Sequence, residues 1–83
     1  MEKSIYTREY AAVTRLLAQA RETAGVTQVE LAEKLGQSQS FVSKFERGDR
    51  RLDVVQLRTV CQVLGITLPE FVERLERELR PRK

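Results

Sequence analysis

The stretch T-Q-V-E-L-A-E-K-L-G-Q-S-Q-S-F-V-S-K-F-E-R-G, Thr27 to Gly48, decides how this chain folds. It opens on a T-x-x-E pattern. The Thr27 hydroxyl can accept from the backbone N–H of residue 30 while the Glu30 carboxylate reaches back to the N–H of residue 27, so a helix is predicted to begin at Gln28. Leu31, Ala32 and Leu35 follow at helical spacing, and Gly36 supplies the left-handed conformation that closes a helix. Ser38 then offers a second cap, and Val42 and Phe45 form the inward pair of a helix over residues 39–47, stopped by Gly48. Gln39, Ser40, Ser43 and Lys44 are left facing elsewhere.

The same logic extends outward in both directions. Upstream, Tyr10, Val13, Leu16, Leu17 and Ala20 share one face of a helix over about residues 8–24, ended by Gly25. Downstream, a polar turn over residues 48–51 leads to Asp53 and Gln56, a second capping box, and to the stripe Leu57, Val60, Cys61 and Leu64 before Gly65. Thr67 and Glu70 repeat the signal, with Pro69 tolerated in the first turn. The last helix carries Leu68, Phe71, Val72, Leu75 and Leu79 on its apolar stripe. It also holds three Glu-to-Arg pairs at i,i+4: Glu70 with Arg74, Glu73 with Arg77 and Glu76 with Arg80. Pro81 is predicted to stop it, and Arg82 and Lys83 are expected to fray. No segment has strand periodicity. The expectation is an all-α fold of five helices in a single domain over residues 1–83, with its core over about residues 8–80 and a helix-turn-helix at the second and third helices.

Composition narrows what such a fold can do. A chain of 83 residues has no room for two cores. It has no His and a single Cys, so it lacks the side chains that most often act as bases, nucleophile partners or transition-metal ligands. The expectation is a protein that is not an enzyme, with no cofactor, no metal and no small-molecule substrate. One thiol forms no internal disulfide, and from the charged start (Glu2, Lys3, Arg8, Glu9) no secretory signal is expected. No apolar run approaches the roughly 20 residues that cross a bilayer, so a cytoplasmic protein without membrane association is expected. The net charge is +3, and its distribution is uneven: residues 1–36 sum to zero, residues 37–66 to +2 and residues 67–83 to +1. The excess begins where residues 39–44 are left free.

Two short helices about a tight turn have the geometry that braces one helix across a phosphate backbone and places the N-terminal half of the next in the DNA major groove. The block T-Q-x-E-L-A-x-K-L-G, followed by S-Q-S-x-V-S-x-x-E-x-G, resembles the helix-turn-helix of the Xre family, the group that includes the lambdoid phage repressors. With its flanking helices the likeness spans about residues 13–72. It implies a lambda-repressor-like domain that regulates transcription, usually as a homodimer on a palindromic double-stranded DNA operator. Small stand-alone proteins of this kind include restriction-modification controllers, phage-type repressors and antitoxins, and the sequence does not choose among them. Regulation through a protein partner stays open, and the rival reading is a protein-interaction adaptor that keeps the fold without DNA binding.

The resemblance also implies a set of site residues. Gln28 corresponds to the glutamine that contacts a phosphate, with Thr27 capping and assisting. Gln39, Ser40, Ser43 and Lys44 align with base-reading positions, a sensible chemistry because Gln pairs bidentately with adenine and Lys donates to guanine. Arg47, Arg50 and Arg51 fall where the family contacts phosphate. Serines at 40 and 43 are short, so direct readout rests mainly on Gln39 and Lys44, with DNA shape contributing. Phe41 departs from the small or polar residue usual there; it either touches a thymine methyl group or packs over the edge of the bracing helix, the favoured reading. Glu46 matches a glutamate that pairs with an arginine of the first helix, here Arg21, as a structural ion pair. In the last helix, Leu68, Phe71 and Val72 are expected to satisfy the core while Leu75 and Leu79 extend beyond it. A dimer contact through Leu68, Val72, Leu75 and Leu79 and adjoining parts of the fourth helix follows, with Ile5, Tyr6 and Tyr10 either folding back or joining it.

Overall fold

The computed structural model describes residues 7–80. Five helices follow in order: α1 (Arg8–Thr23), α2 (Gln28–Leu35), α3 (Gln39–Arg47), α4 (Val54–Val63) and α5 (Leu68–Leu79). No strand occurs among the described residues. Ile5, Tyr6 and the tail from Pro81 lie outside them.

Each helix starts where a side chain satisfies an orphan backbone donor. Thr27, Asp53 and Thr67 form reciprocal capping boxes with Glu30, Gln56 and Glu70. Ser38 caps α3 by accepting from the Phe41 N–H at 3.2 Å. Thr7 does the same for α1 through the Tyr10 N–H at 3.1 Å, a cap that the apolar periodicity does not reveal. Gly36, at φ 69° and ψ 31°, closes α2, and the Gln37 N–H reaches back to the Ala32 carbonyl at 2.9 Å. That left-handed residue lets the chain turn within three residues and brings α3 against α2.

All five helices send side chains to one core. Leu17, Leu31, Val42, Phe45, Val60, Cys61 and Phe71 are almost completely buried. Thr14 is also buried, its hydroxyl donating to the Ala11 carbonyl at 2.9 Å. Burial pushes the Cys61 thiol pKa up, with Arg74 pulling weakly the other way. This thiol therefore behaves as a small hydrophobe.

The apolar stripe of α5 is divided differently from the expectation. Leu75, expected beyond the core, packs against it together with Leu68. Val72, assigned to the core from its spacing, is 41% exposed, and Leu79 is half-buried. The reason is that α5 lies against α1, where Arg15 donates to Glu78 at 2.7 Å, so the face toward α1 is the buried one. The Glu70–Arg74 and Glu73–Arg77 pairs stand at 3.8 and 3.9 Å. No Glu76–Arg80 pair accompanies them, because Arg80 has left the helix (φ −65°, ψ 135°), the extended conformation that a following proline imposes.

Two substitutions test this division of the stripe. Phe71→Ala should cost about 3 to 5 kcal/mol in urea denaturation, whereas Val72→Ala should stay within about 0.5 kcal/mol for the monomeric unit. Iodoacetamide should label Cys61 only at denaturant concentrations that unfold the chain.

Candidate nucleic-acid interface

The interface is built around one buried ion pair. The Arg21 Nε donates to Glu46 Oε2 at 2.7 Å and its Nη2 to Glu46 Oε1 at 3.2 Å, while Nη1 donates to the Val26 carbonyl at 2.8 Å. The two side chains are only 13% and 7% exposed. The hydrogen bond to Glu46 raises the Arg21 pKa against the opposing pull of desolvation. A raised pKa on a base contributes stability that is complete below the ordinary arginine value and is lost only as pH rises through the folded one. The pair ties α1 to α3, and the Val26 carbonyl fixes the chain that leads into α2.

The candidate contact residues attach to this anchor. Gln28, in the first turn of α2, donates through Nε2 to Glu46 Oε1 at 2.9 Å. Its Oε1 accepts from Gln39 Nε2 at 2.7 Å. The structure thus brings a residue expected at a phosphate and one expected at a base into direct contact, with Gln28 bonded to the ion pair and Gln39 linked to it through Gln28. Gln39, Ser40 and Lys44 are exposed along α3, and Ser43 is half-buried. Thr27 is exposed at the start of α2, with its hydroxyl engaged in the cap.

The three arginines after the recognition segment are each held by a neighbour. Arg47 donates to Asp49 Oδ2 at 3.1 Å and to the Ser43 hydroxyl. The Arg50 guanidinium lies 4.8 Å above the Phe41 ring centre, and that of Arg51 lies 4.5 Å above Tyr10. Each guanidinium thus rests over an aromatic ring, a cation–π contact that holds the charge in place. Phe41 meets Phe45 edge-to-face at 5.5 Å and packs against the core, which places its ring under Arg50. Lys44 and Arg50 share a shallow depression with Gln37, Ser38 and Ser40.

Helical periodicity places Tyr10 in the core but reveals neither the contacts of its hydroxyl nor the role of Gln37. Tyr10 is buried, and its hydroxyl donates to the Arg50 carbonyl at 3.4 Å and accepts from the Leu52 N–H at 3.3 Å. It thereby pins the turn between α3 and α4, and of the alternatives for this residue the structure shows the fold-back. Gln37 lines the depression from the helix-helix turn. Nothing in its local pattern marks it. Among the described residues, no group of three or more His, Cys, Asp or Glu side chains is placed to hold a metal ion, and no helix is long and apolar enough to cross a membrane.

This fold, with a helix pair that exposes Gln39 and Lys44 and sets Lys44 and Arg50 around one depression, defines the class of helix-turn-helix DNA-binding regulators. Comparison with known proteins agrees. The family model described as Helix-turn-helix matches residues 17–71. The uncharacterized HTH-type transcriptional regulator y4dJ of Sinorhizobium fredii is 38% identical over 55 residues, covering 66% of this chain and 71% of that protein. An XRE-family like protein from Pseudomonas syringae pv. tomato superimposes with a TM-score of 0.83 at 42% identity, over 93% of this chain and 94% of that one. The restriction-modification controller protein C.Esp1396I, solved as a tetramer in complex with its natural 35 base-pair operator, gives a TM-score of 0.78 at 26% identity, over 87% and 95% of the two chains. The chain belongs to the Xre family of helix-turn-helix transcriptional regulators.

Two arginines separate buried from exposed electrostatics. Arg21→Ala, which strands the Glu46 carboxylate, should lower unfolding free energy by about 3 to 5 kcal/mol. Arg15→Ala breaks an exposed pair and should cost about 1 kcal/mol or less. Chemical denaturation of both variants checks the contrast.

Proposed function

We propose that this DNA-binding regulator acts as a homodimer that reads a two-fold symmetric operator through the major groove, in the cytoplasm, as a repressor or controller. The observation that carries the reading is the grouping of Gln39, Ser40 and Lys44 on the exposed side of α3, with Gln39 bonded to Gln28 at the start of α2. Base contacts are assigned to Gln39 and Lys44, with Ser40 and Ser43 beside them. Phosphate contacts are assigned to Thr27, Gln28, Arg47, Arg50 and Arg51. Phe41 is assigned to packing, since its ring meets Phe45 edge-to-face and lies under the Arg50 guanidinium. The operator complex of C.Esp1396I supports a role of this kind for a chain of the same fold.

The dimer is assigned to α5, where exposed Val72 and half-buried Leu79 continue the stripe that Leu68 and Leu75 begin. Two copies related by a two-fold axis would set their recognition helices about 34 Å apart, one turn of DNA.

Selection from a random duplex library should return a symmetric site. At that site Gln39→Ala and Lys44→Ala should each lose discrimination of about 1 to 3 kcal/mol at one base pair per half-site. Arg50→Ala or Arg51→Ala should instead weaken binding to all sequences alike and reduce the salt slope by about one. Sedimentation equilibrium should give twice the chain mass of 9.6 kDa, reduced to one chain by Val72→Asp. Enrichment of no sequence would overturn the reading.

A further inference from the structure

Glu46 does more at this surface than neutralise Arg21. A carboxylate only accepts hydrogen bonds and a guanidinium only donates them, whereas a primary amide does both and can be turned end for end. Glu46 Oε1 faces Gln28, so Gln28 must present its Nε2, as it does at 2.9 Å. Its Oε1 is thereby turned toward Gln39, which must present an N–H in return, as it does at 2.7 Å. One N–H and the Oε1 of Gln39 are left unused at the exposed end of the relay. That donor-acceptor pair matches N7 and N6 of adenine.

We propose that Glu46 is a positioning residue that fixes the direction of the Gln28 and Gln39 amides and so makes Gln39 select adenine. The inference rests on the base-reading role assigned to Gln39 above. It has a sharp consequence for Glu46→Gln. Arg21 would claim the amide oxygen at position 46, leaving the amide N–H to face Gln28. Gln28 would then offer Oε1 to position 46 and Nε2 to Gln39. Gln39 would accept through Oε1 and present both N–H groups outward, the donor-donor pattern that suits O6 and N7 of guanine.

The test is library selection with the wild type, Glu46→Gln, Gln28→Met and Gln39→Ala, with folding followed by circular dichroism. In the wild type, one position per half-site should favour A·T by roughly 5- to 150-fold, and Gln39→Ala should abolish that preference. Glu46→Gln should move the same position toward G·C and leave the other positions unchanged. Gln28→Met removes the relay and keeps the Arg21–Glu46 pair, so it should fold and lose the preference at that position even if Glu46→Gln does not fold. A folded Glu46→Gln that keeps A·T, an even loss across all positions, or a Gln28→Met that still selects A·T would each overturn the relay.

Side-chain amide NMR of the free protein separates this failure from failure of base reading. Gln39 amide signals should shift in both Glu46→Gln and Gln28→Met, and unmoved signals overturn the relay even where an operator is bound. Shifted signals in a protein that selects no operator would sink the base-reading assignment, and this inference with it.

Discussion

A single buried ion pair holds the working parts of this domain in register. Arg21 and Glu46 lie 25 positions apart in sequence, and a charge left alone at such a buried site would be strongly destabilising. Each therefore requires the other, and the requirement fixes α1 against α3. The third guanidinium contact, to the Val26 carbonyl, extends the constraint to the entry of α2. Bidentate geometry adds direction as well as energy, because a planar fork meets a carboxylate in only a few orientations. α3 is thus set in place by an electrostatic clamp, with Val42 and Phe45 packing beneath it.

Local chemistry made most of the architecture legible from the residues alone. Thr27, Ser38, Asp53 and Thr67 announce helix starts through hydroxyl or carboxylate oxygens three residues from their partners, and Gly36, Gly48 and Gly65 mark the stops of the first three. Such signals depend only on near neighbours in sequence. Contacts over long separations were harder to read. The Tyr10 hydroxyl meets backbone groups 40 and 42 residues away, and no periodic pattern encodes that meeting. The division of the α5 stripe depended on which way the helix leans, a matter decided by α1. Spacing alone therefore does not place Leu75 against the core, nor does it tell whether Val72 faces the core or, as its place in the dimer stripe requires, the surface.

The candidate surface shows the same split. Gln39, Ser40 and Lys44 were recognisable from a motif, and their exposure follows from helical geometry once Val42 and Phe45 point inward. The supports under the arginines were not recognisable in this way. Phe41 and Tyr10 each provide an aromatic face for one guanidinium, and Asp49 restrains a third. These supports reduce the freedom that long basic side chains otherwise lose on meeting a ligand, so the charge is presented in a partly ordered form.

The Tyr10 hydroxyl gives the domain an unexpected lower size limit. The helix pair that carries the motif spans only residues 27–48, yet the turn that follows it is stitched to the first turns of α1, and its Glu46 is completed from the last turn of that helix. An excised helix-turn-helix peptide would carry the motif letters and lack the counter-ion, the aromatic shelf under Arg51 and the hydroxyl that closes the turn. The smallest piece able to present this surface must therefore begin upstream of Tyr10 and continue past Leu52, which makes recognition a property of the folded domain and not of the motif.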